Sequence, residues 1–125
     1  MNFEKCRPFE IYEYYDGPLI YAIKNENKNF LAYVWDWFDE PTKTYSYLYF
    51  EMDDQIFTDL KADKISIRNF METLCNNGKA TKVTYGFGGV QQKAEIVDFV
   101  SISNDAPLDG VFLESNPDDW KDYIC

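Results

Sequence analysis

Phe30-Leu31-Ala32-Tyr33-Val34-Trp35-Asp36-Trp37-Phe38, followed after a polar gap by Tyr45-Ser46-Tyr47-Leu48-Tyr49-Phe50, decides the fold of this chain. The side-chain period of a strand is two. That period puts Leu31, Tyr33, Trp35 and Trp37 on one face and Phe30, Ala32, Val34, Asp36 and Phe38 on the other. In the second run Tyr45, Tyr47 and Tyr49 alternate with Ser46, Leu48 and Phe50. Asp39-Glu40-Pro41-Thr42-Lys43 between them reads as a turn, so the two runs are predicted to pair as a hairpin. Upstream, Phe9–Tyr14 alternates apolar and acidic residues, and Asp16-Gly17-Pro18 breaks it ahead of a second strand at Leu19–Ile23. Asn25-Glu26-Asn27-Lys28-Asn29 is short, polar and uncapped, the pattern of a hairpin loop. Consecutive hairpins of this kind build an antiparallel meander.

Downstream the period changes. Asp53-Asp54 can cap a short helix with Ile56, Phe57 and Leu60 on one side. Ser66 is the strongest N-cap signal, because Ile67, Phe70, Met71, Leu74 and Cys75 follow at helical spacing and Asn77-Gly78 supplies a left-handed stop. The spacing predicts a helix over Ser66–Asn77. Ala80–Phe87 and Ala94–Ile102 return to strand character around Gly88-Gly89-Val90-Gln91. Val111-Phe112-Leu113 reads as an added edge strand, and Pro117-Asp118-Asp119-Trp120 as a short final helix. The expected architecture is α+β: a mostly antiparallel meander sheet with one main amphipathic helix and one or two short helices packed on it. Residues 1–125 form a single domain on this reading, since no linker or repeat interrupts them.

Composition narrows the chemistry. Apolar residues make up 46% of the 125 and aromatics 18%, which excludes intrinsic disorder. With no histidine, His triads, His general bases and His metal ligands are absent. The formal charge is −10, the wrong sign for general binding to a phosphate backbone, so no direct nucleic-acid partner is expected. Residues 1–60 carry five bases and twelve acids, residues 61–93 six bases and two acids, and residues 94–125 one base and eight acids. A basic band thus lies between two acidic blocks, and its Lys64 and Arg68 have acids of the sheet and tail to pair with. Cys6, Cys75 and Cys125 are odd in number and widely spaced, which fits a reducing compartment. No signal-peptide pattern and no apolar run of membrane-spanning length occurs, so a cytoplasmic protein without a membrane partner is expected.

The first seventy-five residues resemble a family of short uncharacterised bacterial proteins, a domain-of-unknown-function family. The resemblance rests on Asp16-Gly17-Pro18-Leu19, on Phe30-Leu31-Ala32-Tyr33-Val34-Trp35-Asp36, on Tyr45-Ser46-Tyr47-Leu48-Tyr49, and on an acidic helix ahead of Ile65-Ser66-Ile67-Arg68. It covers the N-terminal ~60% of the chain and its motifs are structural. It implies the same fold and a bacterial cytoplasmic origin, and it brings no activity and no catalytic residues.

Each candidate site has a bland counterpart. Asp36, Asp39 and Glu40 at a strand end suit a hard cation, yet their spacing matches no calcium loop. Tyr85-Gly86-Phe87-Gly88-Gly89 lacks the following helix that a phosphate cradle needs, so a hairpin connection is expected. Cys75 lies on an apolar helix stripe, and no cysteine has a histidine to activate it. No catalytic residue, metal or cofactor is assigned. The aromatic strands are more suggestive, because a helix covers one face of a sheet and alternation places tyrosines and tryptophans on the other. Such residues anchor interfaces, although cross-strand pairing alone would also account for them. The leading expectation is therefore a small acidic non-enzymatic binding protein, an inhibitor or immunity/anti-defence-type protein that occupies a basic surface of another protein. The residues assigned to that partner are Asp36, Asp39, Glu40, Trp35, Trp37, Tyr45, Tyr47 and Tyr49. The alternatives are a small enzyme or ligand-binding domain with a carboxylate-lined pocket, and a homodimer closed by the aromatic face.

Overall fold

Hairpins dominate the computed structural model, which describes residues 3, 7–14, 18–39, 44–74, 78–86, 90–104, 106–108 and 110–113. Six strands form one sheet: β1 (Glu10–Tyr14), β2 (Pro18–Asn25), β3 (Lys28–Asp39), β4 (Thr44–Met52), β5 (Lys79–Tyr85) and β6 (Gln91–Asp98). Their spatial order is their order in sequence, and every neighbouring pair is antiparallel. This is the expected meander. The β2–β3 connection is tighter than a five-residue loop, because Asn25 already pairs with Lys28. Only Glu26 and Asn27 remain in the turn, at φ 54° and 66°. Two successive left-handed residues give a hairpin turn whose twist matches that of the strands it joins.

Short helices cross one face. The first, α1 (Asp54–Lys61), begins where the Asp53 carboxylate accepts the Ile56 N–H at 2.7 Å, and it buries Phe57 and Leu60. The next, α2 (Ile67–Asn69), starts at Ser66, whose hydroxyl accepts the Asn69 N–H at 3.1 Å. Instead of continuing as an α-helix to Asn77, the chain widens into a π-helical turn at Phe70–Leu74. Ile67, Phe70 and Met71 are all buried even so. The spacing encodes which side chains are buried, and the wider ladder keeps that burial while adding a residue to the turn. Residues 75–77 lie outside the described set, and Gly78 follows at φ 77°. A Cβ there would sit 2.7 Å from the Glu72 carbonyl oxygen, so the position requires glycine.

Two strand expectations give way. Ala94–Ile102 is not a continuous strand: β6 starts earlier, at Gln91, and stops at Asp98, and Phe99–Ile102 forms a short helix, α3. Phe99 and Ile102 are buried while Val100 is 86% exposed, a period of three rather than two. Val111–Leu113 is not an edge strand either. The Val111 carbonyl accepts the Ile67 N–H at 2.9 Å, satisfying a donor that the start of α2 leaves open, and Leu113 joins the core. The expected helix at Pro117–Trp120 lies outside the described residues.

The sheet is buried on both sides. Leu31, Leu48, Phe50, Phe70 and Met71 belong to the helix-side core. Ile11, Ile23, Phe30, Val83 and five tyrosines or phenylalanines beside them form a second core on the opposite face. Phe3 seals part of that second face. Its ring stacks on Tyr49 at 4.1 Å, with an interplanar angle of 7°, and meets Phe30 edge-on at 5.1 Å. Its N–H donates to the Gln91 side-chain oxygen of β6 at 2.9 Å.

Candidate functional site

The acidic end of the β3–β4 hairpin is shaped by two register shifts. Val34 pairs with Tyr47, Asp36 with Ser46 and Asp39 with Thr44, so the ladder slips once at Trp35 and again beyond Asp36. Bulges re-aim a strand and end its pairing. Asp36 and Asp39 thus occupy the outer end of β3, with Trp37 between them on the same strand, while Glu40 lies outside the described residues. Trp35 is half-buried and packs against the helix-side core together with Tyr33, rather than standing on an open face. Among the described residues no group of three His, Cys, Asp or Glu side chains could hold a metal ion.

The tyrosines assigned to a partner surface are differently placed than expected. Tyr47 and Tyr49 are only 4% and 3% exposed. They do lie on the face away from the helices, as alternation requires, but that face is itself packed. Tyr45 is half-buried at its margin, stacked on Tyr85 at 5.3 Å. The register explains the cluster: β5 brings Val83 opposite Tyr47 and Tyr85 opposite Tyr45, and β2 contributes Tyr21. The Tyr49 hydroxyl contacts the Tyr21 hydroxyl at 3.2 Å and the Tyr85 hydroxyl at 2.6 Å, a buried chain of three. Burial disfavours the phenolate, so the Tyr49 and Tyr47 hydroxyls are held well above their ordinary pKa, reinforced by their neighbouring tyrosines. Burial also raises Tyr45. These groups remain neutral in the physiological range. They close the face by hydrogen bonding and ring packing, and Tyr47 and Tyr49 are thereby withdrawn from any partner surface.

Phe3, Tyr21 and Tyr85 were not singled out for this cluster. Tyr85 had a signal, its place on a strand adjoining the tyrosine-rich one, but the cross-strand register was needed to set it opposite Tyr45. Phe3 carried no local signal at all.

Three bases of the basic band, Lys61, Arg68 and Lys93, have partners within the chain. Lys61 pairs with Glu10 at 3.4 Å and lies over the Phe57 ring at 4.2 Å. Glu10 also accepts the Tyr12 hydroxyl, tying α1 to β1. Lys93 pairs with Glu95 at 3.3 Å, and Lys28 with Glu51 at 3.4 Å. Arg68 reaches the tail through its carbonyls: its Nη1 donates to the Ser103 and Pro107 oxygens, each at 3.2 Å, with the guanidinium 5.1 Å from the Phe99 ring centre. A cavity of about 450 Å³ opens beside it, with Glu72 and Asp98 in its lining. Both carboxylates are exposed. At the β5–β6 connection Gly86 N–H donates to the Val90 carbonyl at 2.8 Å, and a strand follows, the geometry of a hairpin and not of a phosphate cradle. Cys6, Cys75 and Cys125 lie outside the described residues. No described helix is long and apolar enough to cross a membrane. Comparison of the chain with protein-family models, with curated proteins and with solved structures found no match.

Proposed function

We propose that this chain is a small acidic binding protein of the bacterial cytoplasm that acts without catalysis, by occupying a basic surface of another protein in the manner of an inhibitor, immunity or anti-defence protein. The observation that carries the reading is the charge of −10. Lys28, Lys61 and Lys93 have carboxylate partners within the chain, and acidic blocks lie on either side of the basic band. Carboxylates facing the Lys and Arg side chains of a partner would raise the association rate and block the phosphate-binding role of those side chains. The residues to carry this are Asp36, Asp39 and Glu40, with Trp37 as the aromatic anchor and Tyr45 at the margin. Trp35, Tyr47 and Tyr49 serve the two cores instead. The alternative, a ligand-binding domain with a carboxylate-lined pocket, has the cavity bearing Glu72 and Asp98 in its favour.

The test is affinity capture from a bacterial lysate, followed by kinetics with the purified partner. Replacing Asp36, Asp39 and Glu40 with Asn and Gln should slow association by about tenfold at low salt and little at high salt, because screening shortens charge interactions to about 8 Å at physiological strength. Trp37→Ala should instead speed dissociation. An association rate indifferent both to salt and to the triple replacement would overturn the reading.

A further inference from the structure

The two edges of the sheet are not alike. β1 is five residues long and slips register twice against β2, between Ile11 and Glu13 and again before Tyr14. Short, bulged edges resist further pairing. β6 is eight residues long, and its one slip lies at its start, where Thr84 pairs with Lys93 and Tyr85 with Gln91. From Lys93 to Asp98 the strand is regular. Among the described residues none pairs with its outer edge. Lys93, Ala94 and Asp98 are exposed, and Ile96 is 66% exposed.

We infer that β6 is a self-association edge, on which a second copy of this chain adds its own β6 in antiparallel register about a two-fold axis at Ala94. The register follows from geometry and charge. Alternate residues of an edge strand direct their N–H and C=O groups outward, and in an antiparallel pair residues of like orientation stand opposite each other. A two-fold axis therefore falls on a residue and not between residues. Placed at Lys93 it would set lysine against lysine, and placed at Glu95 it would set glutamate against glutamate. Like charges directly opposite are unfavourable. Placed at Ala94, it sets Lys93 of each copy opposite Glu95 of the other, twice, on one face. Those two residues already attract each other within one chain at 3.3 Å, so the dimer would hold four alternating charges. On the other face the small Ala94 leaves room for Ile96 of both copies to be covered. Among the described residues this outer edge of β6 is unpaired, and the inference is independent of the basic partner proposed above.

The interface is short, so the association is weak and is read by sedimentation from about 10 μM to about 1 mM. The wild-type chain should dimerise within that range. Lys93→Glu should weaken the dimer by about tenfold, since both cross-strand pairs become repulsive. Glu95→Lys should do the same. The double variant carrying both changes restores both pairs and should return to within about threefold of wild type. Each variant is checked for native far-ultraviolet circular dichroism, which substitution of exposed residues should preserve. A wild-type chain that stays monomeric throughout, or a dimer that ignores both single replacements, as one centred on Ile96 would, overturns the inference.

Discussion

The two faces of the sheet are both buried, yet they are closed by different means. On the helix side Leu31, Leu48, Phe50, Phe70 and Met71 are fully enclosed side chains without a hydroxyl, covered by elements that follow β4 in sequence. On the other side Tyr21, Tyr47, Tyr49 and Tyr85 fill the space, and three of their hydroxyls bond in series. The first face rests mainly on shape and apolar area, and its buried Tyr12 hydroxyl is met by Glu10. The second rests on rings whose polar ends must satisfy each other, since an unbonded buried hydroxyl costs free energy. Two equally buried faces should therefore answer differently to mutation and to pH.

The sharpest test of the helix side is Phe70→Ala. Phe70 is fully buried and its ring lies 5.7 Å from that of Phe50. Removing it should cost about 3–5 kcal/mol in chemical denaturation. A midpoint close to wild type would show that the π-helical turn does not carry this face.

Alkali should act most on the tyrosine side, where several such rings lie together, with Tyr12 as its counterpart on the helix side. Tyr47 and Tyr49 are neutral in the folded chain at pH values where an unfolded tyrosine, of pKa about 10, ionises. Above that pH the unfolded chain holds fewer protons than the folded one, so stability falls as pH rises, by up to about 1.4 kcal/mol per pH unit for each such tyrosine. Below about pH 9 their contribution is full and flat. Denaturant midpoints taken from neutral to alkaline pH should show this fall, and Tyr47→Phe should make it shallower. An unchanged slope in that variant would mean that Tyr47 ionises as readily in the folded chain as in the unfolded one.

The smallest expected effect is the most specific. Tyr49→Phe keeps the ring that Phe3 stacks on and removes the hydroxyl that bonds Tyr21 and Tyr85. Its cost should be about 1–2 kcal/mol, the range for breaking buried hydrogen bonds without opening a cavity. A neutral result would reduce the second face to ring packing alone and erase the contrast with the first.

Much of this was legible in the chain itself. Alternation in 30–38 and 45–50 places Leu31, Tyr33 and Trp35 on the helix side and Phe30, Ala32 and Val34 on the other up to the first register slip. Asp53 and Ser66 cap as their types require, because a carboxylate or hydroxyl before an apolar stripe has an N–H to accept. Less visible was what depends on distant chain. Alternation assigns a side chain to a face but cannot say whether that face is covered, and so Tyr47 and Tyr49 read as exposed. Phe99–Ile102 read as strand because a four-residue apolar run suits either period, and only burial against the helix side selects the helical one. For the candidate site the sequence supplies the acids and their place beside a turn. What those acids would meet, on the proposed reading, depends on another molecule.

The hydrogen bond from Phe3 to Gln91 joins positions 88 residues apart. Every strand of the meander finds its neighbour in the segment just before or after it, so the sheet can assemble in the order in which the ribosome delivers it. The hold on Phe3 cannot. Phe3 leaves the ribosome long before Gln91, and until Gln91 emerges the nascent chain lacks that hold over its tyrosine rings. Such transient exposure is what folding helpers recognise. Biosynthesis, more than the finished protein, is where this closure is most vulnerable.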